Sequence, residues 1–285
     1  RQMCIRDRSM TSEQARLTEK GSRAICCEEL FWRKHAQPQS YESPNMVEPA
    51  KVAARTAKPQ TGEPLPHESA KLHVTGEALY TDDIGTPAGA LHAYVGVSQA
   101  THARIKNLNL DAVRNAPGVV CVLTASDIPG SSDIGPVYTG DPLIASDTVE
   151  FRGQILFAVA AVSNKAARRA ARLAEIEYEM LPAVLDSQAG HELESYVRPM
   201  HCQRRGDAKA AIAEAPMKLE GAFQSGGQEQ MYLEGQVSLA IPDEDGKMLV
   251  YSSTQHPSEG QKLVAEVLNI PLSHVTVQVR RMGGA

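Results

Sequence analysis

Several absences narrow the field before any motif is read. Positive charge is not in excess: 29 Lys and Arg stand against 34 Asp and Glu, a formal net charge of −5, so the chain lacks the basic surface a nucleic-acid binder needs. The densest cationic cluster, Lys165 with Arg168, Arg169 and Arg172, falls at helical spacing and reads as a solvated helix face. No apolar run approaches the roughly 18 residues of a membrane-spanning helix, and the N-terminus lacks a basic head followed by an apolar core. The five cysteines, Cys4, Cys26, Cys27, Cys121 and Cys202, include no Cys-x-x-Cys pair. That spacing excludes a zinc ribbon or an iron–sulfur cluster held by this chain alone, and it points to a reduced, cytoplasmic compartment. Neither Gly-x-Gly-x-x-Gly nor a Walker loop is present, which removes the familiar phosphate cradles.

What remains is an ordinary globular composition, 42% hydrophobic and 22% charged over 285 residues, long enough for about two domains. Residues 1–57 differ from the rest. They mix Arg, Glu, Gln and Ser around one apolar knot and read as a disordered leader, in which Arg1–Arg8 looks like translated adapter sequence. Prolines Pro49, Pro59, Pro64 and Pro66 then disfavour helix and make an extended linker.

From His67 to about residue 183 the pattern alternates between strand and helix. Strands are expected over 90–98, 103–110, 119–123, 155–162 and 175–179, with helices over 111–116 and 165–174, the second capped by Ser163. Interleaved elements of this length predict an α+β domain over 58–183. Residues 184–207 form a polar linker. His191, His201 and Cys202 lie in it without enough ligands at metal-binding spacing, and His92 and His102 are strand or turn residues. The domain over 208–285 is expected to hold strands at 217–224, 232–241, 248–253 and 275–279. A turn at Pro242–Lys247 and a helix opening at Pro257 complete it. A last strand that runs into Arg280-Arg281-Met282-Gly283-Gly284-Ala285, with nothing for that turn to connect to, predicts truncation at Ala285.

One stretch has the character of a site. In Ser225-Gly226-Gly227-Gln228-Glu229, two adjacent glycines can take positive φ and let a ligand approach the main chain, with the Gln228 amide presented at a turn.

Four blocks in one order then resemble the molybdenum-binding subunit of bacterial xanthine dehydrogenases, in the xanthine dehydrogenase/aldehyde oxidase family. They are Pro66–Ala70 with His73–Ala78 and Tyr80–Ile84; Gly226–Glu229 with Tyr232–Glu234; Ser252–Pro257; and Arg280–Gly284. The resemblance covers roughly 58–285. It implies an α/β hammerhead domain followed by the truncated start of the molybdenum-cofactor-binding domain. It carries onto Gln228 a place beside an oxygen on the molybdenum, near the metal without ligating it, where an uncharged amide can hydrogen-bond without disturbing the redox balance. Gly226 and Gly227 would give backbone clearance, and Glu234 would be structural.

The activity implied is oxidative hydroxylation of hypoxanthine and xanthine to urate. Water supplies the oxygen, and electrons leave through 2Fe-2S and FAD centres to NAD. Those centres would sit on partner subunits of a hetero-oligomer, because no iron–sulfur cysteine pattern precedes the hammerhead block. The family's base glutamate would lie beyond Ala285, so this stretch alone is expected to be inactive. Aldehyde or carbon monoxide oxidation, or a non-catalytic docking module, are the alternative readings.

Overall fold

The computed structural model describes residues 61–62, 64–228, 231–232 and 234–282. The leader expected over 1–57 lies outside them. The chain divides into two compact units, one running to Met180 and resuming from Tyr232, the other comprising Leu181–Met231.

The first unit opens with a short helix, α1 (Ala70–Thr75), closed by Gly76 in the left-handed conformation, and a 3-10 turn over Thr81–Asp83. Strands β1 (His92–Val97), β2 (Ala103–Asn109) and β3 (Val119–Leu123) follow, with helix α2 (Asp111–Arg114) before β3. After β4 (Thr148–Val149) come β5 (Ile155–Ala161), helix α3 (Asn164–Ala171) and β6 (Glu175–Met180). These make two three-stranded antiparallel sheets, ordered β1-β5-β3 and β4-β2-β6. The long apolar run of β5 is central in its sheet, with four of its seven residues buried and none exposed, as expected of a strand covered on both faces.

The core gathers Leu110, Val113, Val149, Leu156, Phe157 and Val159 around the buried alanines of α3, Ala167 and Ala170. Each large side chain buried here contributes about 1.5–3 kcal/mol relative to exposure. Small residues on α3 let the helix lie close against the strands. Its N-terminus is capped as expected, the Ser163 hydroxyl accepting from the Ala166 N–H at 3.2 Å.

The same unit resumes with β7 (Ser238–Pro242), β8 (Met248–Ser252), helix α6 (Pro257–Leu268) and β9 (Val275–Gln278); α4 and α5 belong to the second unit. β7 and β8 form a hairpin, and β8 runs parallel to β9 after the crossover through α6. Pro257 occupies the first turn of α6, and His256 caps it, Nδ1 accepting from the Glu259 N–H at 3.2 Å. The expected strand from Tyr232 begins only at Ser238, opposite its partner Ser252.

The second unit carries α4 (Ser187–Glu192) and α5 (Ala208–Glu214), capped by Asp186 and Asp207. Residues 184–207, expected as a linker, therefore include a helix. The strand expected over 217–224 does not form. Its apolar alternation is real, but Met217, Leu219 and Phe223 are all exposed, and an extended segment without a paired neighbour leaves its backbone groups to water.

Candidate functional site

The four sequence blocks divide between the two units. Gly226, Gly227 and Gln228 lie in the second. There the backbone is exposed and irregular and makes no turn. Neither glycine has positive φ; the left-handed residue nearby is Met231, at φ 52°. The expectation of a turn built on glycine conformation is thus corrected. What the glycines provide is room, because an added Cβ at either position would meet no atom within 4 Å. Gln228 is exposed beside them, with a neutral amide that can both donate and accept.

His201 and Cys202 are also exposed. The Cys202 sulfur accepts from the Arg204 Nε at 3.1 Å, and no group of three potential ligands gathers among the described residues. His191 Nδ1 lies 2.8 Å from the Tyr196 hydroxyl.

The remaining blocks meet in the first unit. Thr81 is buried, and its backbone N–H donates to Glu234 Oε1 at 3.0 Å across 153 residues of chain. One residue earlier, the Tyr80 N–H donates to Asp83 Oδ2 at 2.9 Å and so fixes the 3-10 turn. The Arg281 guanidinium donates to the Leu79 carbonyl, while its Nε is buried with no partner among the described residues. Ser253 closes the arrangement on the other side. Its hydroxyl accepts from the Val237 N–H at 2.9 Å and approaches the Gly235 carbonyl at 3.1 Å.

Residues from all four blocks outside Gly226–Gln228 therefore act as caps, turn-formers and backbone anchors. Arg280 lies over the ring of Tyr251, 5.7 Å from its centroid, a cation–π contact that places the start of the last block on the β8 surface.

A second junction escaped the sequence reading. The N–H groups of Gly130 and Ser131 donate to Val267 and Glu266 carbonyls at 3.0 and 2.9 Å, satisfying groups that the C-terminus of α6 would otherwise leave open. Gly130 is required there: a Cβ would fall 1.9 Å from the Glu266 oxygen. The Pro129-Gly130 pair marks a turn, but nothing local in it names a helix end more than 130 residues away.

Comparison with known proteins gives two matched domains. Residues 75–182 match "Aldehyde oxidase and xanthine dehydrogenase, a/b hammerhead domain", and residues 191–285 match "Molybdopterin cofactor-binding domain". A xanthine dehydrogenase/oxidase of Gallus gallus is 36% identical over 224 residues, covering 78% of this chain and 16% of that protein. Among solved structures, the aldehyde oxidoreductase of Desulfovibrio gigas is 26% identical with a TM-score of 0.66, over 76% of this chain and 26% of that one. Quinoline 2-oxidoreductase of Pseudomonas putida 86 is 26% identical with a TM-score of 0.64, over 75% and 29%. The chain thus spans about a sixth of its curated relative's length.

Proposed function

Since the chain belongs to the xanthine dehydrogenase/aldehyde oxidase family of molybdenum hydroxylases, we propose that the whole protein hydroxylates hypoxanthine and xanthine to urate, with water as oxygen source and NAD as electron acceptor. The observation that carries this reading is the collinear run of four blocks together with 36% identity to a xanthine dehydrogenase/oxidase over 224 residues. Identity to the aldehyde and quinoline enzymes is lower, at 26%. Aldehyde oxidation is the second reading, favoured by the backbone likeness to the Desulfovibrio gigas enzyme.

The cofactor of this reading is molybdenum bound to molybdopterin, and the residues present fit it. The backbone at Gly226 and Gly227 is open on the side where side chains would stand, and the exposed Gln228 offers an uncharged amide. When bound, the group supplies the redox change that moves two electrons out of the substrate carbon. Gln228 would hold a hydrogen bond to an oxygen at the metal, and a neutral partner there leaves the charge of the centre unchanged. Gly226 and Gly227 would let the main chain approach without a steric barrier. No residue of this stretch is assigned proton transfer.

The proposed organisation is a hammerhead domain over 58–183, a connecting segment over 184–207 and the beginning of the cofactor-binding domain over 208–285. The matched spans 75–182 and 191–285 support its two-domain form. The 2Fe-2S and FAD centres would be supplied by partner subunits of a hetero-oligomer. A cytoplasmic location is proposed on cysteine usage; no helix among the described residues is long and apolar enough to cross a membrane.

Substrate choice is tested by assaying the full-length enzyme, with its partners, on xanthine, on an aromatic aldehyde and on carbon monoxide, with NAD reduction as readout. Turnover on xanthine far above the others is expected. Preference for aldehyde would overturn the purine reading and leave the family assignment intact.

A further inference from the structure

The cationic cluster on α3, which the sequence presents as a solvated helix face, is divided by the fold. Arg168 lies over the Tyr94 ring of β1, 5.6 Å from its centroid. Lys165 and Arg169, about one helical turn apart, instead line a shallow groove of about 300 Å³ between α3 and the turn at Ala116-Pro117. Pro117, Ala166, Ala170 and Leu173 give the groove its apolar floor.

We propose that this groove is a docking surface for another protein, one that presents an aliphatic side chain flanked by carboxylates on an exposed segment. The proposal stands apart from the molybdopterin reading, since it uses no residue of that site.

Charge complementarity is the first support. The chain as a whole is acidic, with a net charge of −5, yet Lys165 and Arg169 are both exposed and neither makes an ion pair among the described residues. Other exposed cations of the same unit are matched: Arg104 and Lys106 share Glu179 at 3.4 and 2.8 Å, and Lys262 lies 3.8 Å from Glu266. On the neighbouring α2, the Asp111 carboxylate is taken by Arg114 at 3.7 Å.

Apolar surface lies open beside these charges. Leu173 is 47% exposed and Val162 61%. Val162 borders the groove, its N–H donating to the Gly118 carbonyl at 2.9 Å, and a Cβ added at Gly118 would stand 3.0 Å from Val162 and 3.3 Å from Ala166. The walls are firm, because α3 is seated on its buried alanines and capped by Ser163. A preformed groove of this kind costs a partner little ordering on its side. An aliphatic side chain on the floor leaves water, and the flanking carboxylates meet Lys165 and Arg169. Obligate interfaces are larger and more apolar, so a small floor with a charged rim suits a reversible contact in which the charges set encounter and orientation.

The test uses the purified full-length enzyme with its partners and a fluorescent synthetic peptide that alternates glutamate and leucine, with binding read by anisotropy. Control peptides replace the glutamates by glutamine or the leucines by serine. The enzyme is expected to bind the glutamate–leucine peptide at least about tenfold more tightly than either control, and to lose affinity between about 0.1 M and about 1 M salt as the screening length falls from about 10 Å to about 3 Å. Lys165→Glu combined with Arg169→Glu sets like charges together and should weaken binding by roughly tenfold or more, with an unchanged melting temperature. Arg168→Glu, the same kind of charge change outside the groove, should cost less. Failure of the wild-type enzyme to bind would overturn the proposal, and so would binding that survives the double reversal or falls equally in Arg168→Glu. If the double variant does not fold, the control peptides decide: a serine peptide that binds as tightly as the leucine peptide overturns the proposal without any variant. Protection of Lys165 from an acetylating reagent before peptide is added would also overturn it, because the enzyme's own remaining parts would then cover the groove.

Discussion

Gly96 and Phe157 face each other across β1 and β5, and a Cβ on Gly96 would stand 2.0 Å from the buried Phe157 ring. The ring is buried and would have to shift, so Gly96→Ala is expected to lower stability by about 1–3 kcal/mol, the range for overpacking a core, as measured by denaturant unfolding of the folded protein. Asp133 acts differently. Its carboxylate accepts from the N–H groups of Gly135, Gly140 and Asp141 at 2.9, 2.7 and 3.2 Å, and these bonds, Gly135 foremost, hold its pKa below the usual carboxylate value. A folded-state pKa depressed in this way gives stability that is present above the unfolded value and lost as pH falls through the folded one. The amide signals of Gly135 and Gly140 should therefore titrate together below the ordinary aspartate range, and in Asp133→Ala should not respond to acid there. At Gln228, exposure predicts that Gln228→Ala leaves the melting temperature unchanged while turnover of the full-length enzyme falls by about tenfold or more; unchanged turnover would remove this residue from the site.

At the scale of elements, the docking of Gly130 and Ser131 onto the end of α6 makes a specific demand. Gly130→Ala would press a methyl group against the Glu266 carbonyl, and a loss of about 1–3 kcal/mol is expected in thermal melting, with hydrogen exchange rising first at the last turn of α6. Which elements could be read in advance follows from where their determinants lie. β3 was legible to the residue, through a β-branched run bounded by Pro117-Gly118, and the start of α6 was legible through Pro257. The strand expected over 217–224 failed because alternation specifies a face and not a partner, and among the described residues no strand pairs with it. α4 was hidden in a polar segment whose signal is a single aspartate cap, Asp186, whereas α5 was missed although its alanine-rich run behind Asp207 favours helix. The Thr81–Glu234 and Leu79–Arg281 bonds could not be read at all: each joins residues far apart in the chain, and one sequence contains no term for that distance. The candidate site was half legible. The glycine pair and its amide were visible as a motif, but their conformation was not, because glycine's freedom leaves φ undecided until the surroundings choose it.

For the whole molecule, the two matched domains account for most of the chain, and the hammerhead sheets form a framework against which the later sheet is anchored at three places: Glu234, Arg281 and the end of α6. This arrangement explains why the sequence blocks that carry the resemblance are mostly structural. They are places where distant segments of the first unit meet. The central claim, that the chain belongs to a molybdenum hydroxylase, is tested most directly by elemental analysis of the purified full-length enzyme alongside its turnover of xanthine. The account predicts stoichiometric molybdenum, with xanthine turnover lost when the metal is removed; a full-length protein free of molybdenum, or one whose xanthine turnover survives metal removal, would contradict it.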